Sequence, residues 1–172
     1  DGKGKRILNP VTEVTMDENS YMEMEMVQIK GVDSTQRMTK ADLAAGAKLI
    51  IRERLLTHGD QHAESGFVVN LNGEDSSANV ISRSVAKNNS TQVFNAEING
   101  NAKCAGHSEC DAIIMDHAKI SAIPKIVAND IDAALIHEAA IGKIAGEQLI
   151  KLMTLGLTEQ EAEAQIVNGF LK

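Results

Sequence analysis

The chain has 172 residues, about one domain with an appendage, and a chain of this length buries roughly 70% of its unfolded surface. With 17 Lys and Arg against 24 Asp and Glu the formal charge is -7, which excludes a surface that grips nucleic acid or anionic lipid by charge. Aromatic residues make up 2% with no Trp, so stacking platforms for single strands are missing and the core has to be aliphatic.

The opening Asp1-Gly2-Lys3-Gly4-Lys5 is loop-like, lacks an initiator Met and an apolar signal core, and reads as the cut end of a longer protein. From Tyr21 to Ile29 the chain alternates, with Met22, Met24 and Met26 on one face against Glu23 and Glu25, as a half-buried strand does. Short apolar or β-branched segments follow at 47–56, 67–71, 79–85, 112–115, 120–127 and 131–136. Polar turn clusters separate them at 70–75, 87–90 and 99–101. Stretches such as Leu49 to Ile51 and Ile113 to Met115 fall far short of the roughly 20 apolar residues that span a bilayer, so no membrane crossing is expected.

Strands this numerous predict an all-β body, either a sandwich or a coiled solenoid. A small residue followed by alternating branched residues returns at Gly46-Ala47-Lys48-Leu49-Ile50, Ser77-Ala78-Asn79-Val80-Ile81, His117-Ala118-Lys119-Ile120 and Ile131-Asp132-Ala133-Ala134-Leu135, at uneven intervals roughly compatible with one or two turns of a parallel β-helix. In such a coil, rungs about 4.8 Å apart bring residues distant in sequence face to face.

Near Glu138 the period changes, giving a β core over 1–137 and a helical segment over 138–172. Leu149, Ile150, Leu152 and Met153 recur at helical spacing and stop at Gly156. Thr158 with Glu161 three residues on predicts a capping box opening a second helix, whose apolar stripe is Ala162, Ile166 and Phe170.

No phosphate-cradling glycine loop, dinucleotide fingerprint or nucleophile elbow occurs, and Ser34, Thr35 and Ser65 have no evident triad partners. Cys104, His107, Cys110 and His117 gather thiols and imidazoles within a short stretch but lack paired Cys-x2-Cys spacing, so small buried hydrophobes compete with metal ligands as the reading of the two thiols. Two cysteines without a secretory signal suit a reducing compartment, here the cytoplasm. Arg52-Glu53-Arg54 reads as a solvated strand segment, and the three methionines as core or interface filling. His137-Glu138 sits at the expected junction of β core and helices, where a carboxylate gains from a helix dipole.

Taken in order, Gly106-His107-Ser108-Glu109-Cys110-Asp111-Ala112-Ile113-Ile114, Ile123-Pro124, His137-Glu138-Ala139-Ala140-Ile141-Gly142-Lys143-Ile144, Gln148-Leu149, Gly156-Leu157-Thr158-Glu159-Gln160-Glu161-Ala162 and Ile166-Val167-Asn168-Gly169-Phe170 resemble the C-terminal part of the SufB/SufD family, the scaffolds of SUF-type iron-sulfur cluster assembly. The stretch from Asn72 to Arg83 resembles the family's β core more loosely. The resemblance implies a right-handed parallel β-helix, no enzymatic activity, and dimerisation through the β-helix as a homodimer or a SufB/SufD-type heterodimer. It also implies docking of the SufC-type ABC ATPase on the C-terminal helices, through Leu149, Leu152, Met153, Leu157, Ile166 and Phe170.

Having both Cys110 and His-Glu-Ala is SufB-like: Cys110 is then the candidate acceptor of sulfur or nascent iron-sulfur cluster, with His137 and Glu138 as candidate ligands and Cys104 and His107 as secondary ones. A SufD-like chain would bind the ATPase without carrying a cluster. A β-helix hydrolase or lyase, the remaining alternative, requires a carbohydrate groove with convergent carboxylates. Family members are longer than this chain. Ala145-Gly146 replaces a side-chain cap common among relatives, which weakens the first helix's start by about 1 kcal/mol.

Glu109 and Asp111 raise the Cys110 pKa unless alternation turns them to the opposite face, leaving the thiol toward a basic neighbour such as His107 or Lys103. A cluster takes four ligands and this chain has two thiols, so an all-cysteine site within one chain is excluded, and two chains giving Cys110 with His137 or Glu138 would reach four.

Overall fold

The computed structural model describes residues 4–29 and 31–172; of the opening Asp1 to Lys5, the first three lie outside the described residues. The described residues form eleven strands followed by two helices. The strands are β1 (Ile7–Leu8), β2 (Val11–Met16), β3 (Tyr21–Gln28), β4 (Ser34–Leu43), β5 (Lys48–Thr57), β6 (His62–Leu71), β7 (Ser77–Ala86), β8 (Thr91–Gly100), β9 (Ala105–Ile114), β10 (Lys119–Ala128) and β11 (Ala134–Gly142). The helices are α1 (Gly146–Thr154) and α2 (Glu159–Phe170).

From β3 onward consecutive strands alternate between two sheets. One sheet runs β11-β9-β7-β5-β3; the other runs β1-β4-β6-β8-β10, with β2 also on β4. Every pairing is parallel. Two strands and two corners therefore make one coil of a parallel β-helix. A coil takes 28 or 29 residues, the separation of Ser82 from Cys110 and of Glu53 from Ser82. A sandwich, with its antiparallel hairpins, is excluded.

The corners repeat as closely as the strands. The residues there that adopt positive φ are Asn19, Gly46 and Asp75 at one corner and Gly31, Gly59, Asn88 and Asp116 at the other. Asn and Asp tolerate this left-handed conformation better than other side-chain-bearing residues. Amides stack along the coil axis, Asn129 donating to Asn101 at 2.7 Å and Asn101 to Asn72 at 2.8 Å. Gly73 lies against the backbone of Ala44 and Ala45 on the preceding coil, where a side chain would collide.

The interior divides lengthwise into two unlike halves. One half is aliphatic, with Leu43, Leu49, Ile51, Val69, Leu71, Val80 and Ile98 each at most 1% exposed. Burial of each such side chain contributes roughly 1.5–3 kcal/mol. The other half carries Thr35, Thr57, Ser65, Ser82, Ser84 and Gln92, all buried. This polar lining explains why β4 and β8 escape the sequence reading: their inward positions include Thr35, Arg37, Thr39 and Gln92, which do not register as apolar alternation.

The sequence expectation places the end of the β core at residue 137, yet β11 continues through His137-Glu138 to Gly142 and α1 begins only at Gly146. Glu138 is thus a strand residue and gains nothing from a helix dipole. Both helix predictions agree with the structure to within a residue or two. Ala145 makes no side-chain cap. Thr158 and Glu161 form the reciprocal capping box, Thr158 N donating to Glu161 Oε2 at 2.8 Å.

Helix α2 is held against the outer face of the β11-to-β3 sheet, where Val167, Phe170 and Leu171 pack on Leu56, Val85, Ile113 and Met115. Leu56, Val85 and Ile113 form one outward column in register. Helix α1 buries no residue completely and leaves Ile150 63% and Met153 43% exposed. No helix among the described residues is long and apolar enough to cross a membrane.

Candidate functional site

Strand parity decides where each candidate side chain points. On β9 the inward positions are Gly106, Ser108, Cys110 and Ala112, and on β11 their register partners are Leu135, His137, Ala139 and Ile141. Cys110 and His137 therefore share the interior face of adjacent strands as diagonal neighbours. With strands about 4.8 Å apart and a rise of about 3.3 Å per residue, their Cα atoms stand about 8 Å from each other.

Cys110 is fully buried. Its thiol is pushed up to about 12, first by burial and then by the negative charges of Glu53 and Asp111. His137 lies on the last rung and is half-buried, sharing a hydrogen bond between Nδ1 and Ser108 Oγ at 3.2 Å. Burial lowers its pKa, and so does the neighbouring His107.

Glu138 takes the opposite parity and faces outward, its side chain 67% exposed, with Oε2 3.7 Å from His107 Nε2. His107 also faces outward, its Nδ1 3.1 Å from Asn79 Oδ1. The candidates thus fall into two groups on opposite sides of one sheet: Cys110 with His137 inside, His107 with Glu138 outside. Cys104 is buried at the corner before β9, its thiol raised chiefly by burial. His117 lies in the turn after β9. Among the described residues no group of three or more His, Cys, Asp and Glu side chains is placed to hold a metal ion.

Two expectations need correction. Arg52-Glu53-Arg54 is not a solvated segment, because Glu53 has the parity of Leu49, Ile51 and Leu55 and lies inside the coil at 4% exposure, while Arg52 and Arg54 face out. Nor does Cys110 face His107 or Lys103. The residue in register with it on β7 is Ser82, and beyond that on β5 is Glu53.

Glu53 accepts hydrogen bonds from Ser65 Oγ at 2.5 Å and Ser82 Oγ at 2.8 Å. Burial raises its pKa, against the opposing pull of those two hydroxyls and of the Arg37 charge. The column Glu53, Ser82, Cys110 is the part of the interior that sequence reasoning missed. The signal for it was the parity of Glu53 among inward leucines and isoleucines.

The helical candidates are also distributed. Leu149, Leu152 and Leu157 are half-buried and Met153 is exposed, while Phe170 is already engaged against the β wall and Ile166 is half-buried.

A parallel β-helix with a buried thiol in its last complete coil, an imidazole on the next strand and the second of two C-terminal helices packed on the wall defines the class, a β-solenoid protein with a helical C-terminal segment. Residues 4–170 match the family described as SUF system FeS cluster assembly, SufBD core domain. The chain belongs to that family. It is 32% identical over 170 residues to an iron-sulfur cluster assembly SufBD family protein of Methanocaldococcus jannaschii, covering 98% of this chain and 54% of that protein. To one of Archaeoglobus fulgidus it is 31% identical over 167 residues, covering 96% of this chain and 45% of that one. To one of Pyrococcus horikoshii it is 38% identical over 120 residues, covering 69% and 27%. The chain spans about half or less of the length of these relatives.

Proposed function

We propose that the chain is the scaffold part of an iron-sulfur cluster assembly protein, with Cys110 as the acceptor of sulfur. The observation that carries this reading is the placement of Cys110 and His137 on one interior face of adjacent strands, with His137 on the last rung of the coil. In the transfer step the Cys110 thiolate attacks the outer sulfur of a donor persulfide. The donor's S–S bond breaks, a new S–S bond forms on Cys110, and the donor leaves as a thiolate with no net change in oxidation state.

A thiol pushed up to about 12 and fully buried does not react from the closed coil, so the step waits on displacement of β10 and β11. The growing cluster is cargo rather than a resident group. Cys110 and His137 from each of two chains would supply four ligands, whereas Glu138, on the outer face, would need a different approach. Mixed thiolate and imidazole ligation suits a cluster that has to be handed on.

Docking of a SufC-type ABC ATPase belongs to the same proposal, and the exposed Ile150 and Met153 of α1 support it. The alternative, a SufD-like subunit that binds the ATPase and carries no cluster, is favoured by the sealed state of Cys110. No catalytic role is assigned to any residue, and the reading places the protein in the cytoplasm.

The test is anaerobic reconstitution of the complete protein with iron and sulfide, with and without the ATPase. Cys110→Ala should lose most of the cluster absorbance while keeping its β circular dichroism. Undiminished cluster content in the variant would overturn the role of Cys110. Deletion of residues 157–172 should abolish ATPase binding and leave the coil folded; binding that survives the deletion would place the dock elsewhere.

A further inference from the structure

On the outer wall, β5, β7 and the chain end beyond α2 line a cavity of about 170 Å³ with Arg52, Glu53, Arg54, Ile81, Arg83 and Lys172, the Glu53 side chain itself turning into the coil. Arg54 and Arg83 stand directly opposite each other in the β5–β7 register. Like charges so placed repel across a strand spacing of about 4.8 Å. Their counterions are unequally shared. Arg52 pairs with Glu23 at 2.8 Å and Arg54 with Glu25 at 3.4 Å, both toward β3. Arg83 and Lys172 make no ion pair within 4 Å among the described residues, although Arg83 stands opposite Asp111 in the β7–β9 register and its charge reaches Glu109. The chain as a whole carries -7, so this cationic pocket opposes the general field of the molecule.

We propose that the pocket is a binding site for a phosphate-class oxyanion, held between Arg54 and Arg83. Guanidinium forks match the tetrahedral oxygens of phosphate with paired N–H donors, and an anion between the two arginines turns their repulsion into two attractions. The volume equals roughly five or six water molecules, enough for one phosphate group and a few waters but not for a whole nucleotide. The phosphate is therefore either a free ion or the terminal group of a nucleotide whose base remains outside. The inference is independent of the role of Cys110, which lies on the other side of the sheet.

Inorganic phosphate and ADP, titrated separately into the intact protein at low ionic strength and followed by calorimetry and by thermal unfolding, test it. Saturable one-to-one binding is expected, falling as salt is raised. Arg83→Ala should weaken binding by about tenfold or more and lose the phosphate-induced rise in melting temperature. Lys125→Ala, on the other sheet, should leave binding unchanged. Arg54→Gln serves as a second variant if Arg83→Ala does not fold. Tighter binding of ADP than of phosphate identifies a nucleotide-borne group, and equal or weaker binding a free ion. No saturable binding of either probe at millimolar concentration, or binding unaltered in the folded arginine variant, overturns the proposal.

Discussion

Glu53→Gln isolates the cost of a carboxyl group sealed inside the coil. The side chain is 4% exposed and fully hydrogen-bonded by neutral donors, Ser65 and Ser82, with Arg37 as the only cation raising its acidity. Below about pH 4 both folded and unfolded chains hold the proton and Glu53 costs nothing. Between the ordinary glutamate pKa, about 4.3, and its raised value in the fold, the unfolded chain has released the proton and the folded chain retains it. Stability therefore falls as pH rises through that window, by up to about 1.4 kcal/mol per unit, and levels off above it.

Glutamine keeps the volume and both hydrogen bonds, accepting from one serine through Oε1 and donating to the other through Nε2 once that hydroxyl rotates. Urea unfolding of the two proteins across pH 4 to 9 should show near-equal stability at the acid end and a widening advantage for Glu53→Gln toward neutral pH. Glu53→Ala should instead lose about 2–4 kcal/mol at the acid end, because it leaves a void and two buried hydroxyls without an acceptor, and that loss should shrink toward neutral pH as the parent's own cost appears. A difference between Glu53→Gln and the parent that does not change with pH, or that grows in favour of the parent, would refute the reasoning.

Alkylation follows from the state of the thiols. With its pKa near 12, Cys110 should react with iodoacetamide at pH 8 at least about a thousandfold more slowly than a free cysteine, and at the free rate after denaturation; fast labelling in the folded protein, read by mass spectrometry, would contradict the sealed coil. Gly73→Ala should lower stability by several kcal/mol or prevent folding, since its methyl group meets the Ala44–Ala45 backbone rather than a movable side chain; near-parental thermal unfolding would contradict the corner geometry. Thr158→Ala should cost about 1 kcal/mol, read as faster amide exchange confined to α2, and unchanged exchange would show that packing alone holds that helix.

Several features of the fold and site were legible from local pattern. The alternation of Met22, Met24 and Met26 placed them on one face, and the structure turns all three inward against the core. The capping box of Thr158 and Glu161 marked the second helix because its chemistry spans only four residues. Ordered motifs from Gly106 to Phe170 pointed to a coiled β scaffold, the fold observed. Period-2 alternation also required Cys110 to face away from Glu109 and Asp111.

What lay on the far side of that face was decided only by tertiary structure. In a parallel coil a residue's neighbours come from strands 28 or 29 positions away, and the register that joins them is set by corner geometry, by residues such as Gly46, Asp75 and Asn88. That register put Glu53 and Ser82 beside Cys110, and set Glu138 on the opposite side of the sheet from the thiol. It also carried the last strand past His137 to Gly142, since edge pairing with β9 continues there although the local sequence no longer alternates cleanly between apolar and polar residues. Parity is a property of neighbouring residues and can be read along the chain; stacking is a property of the closed coil and exists only once the corners have turned.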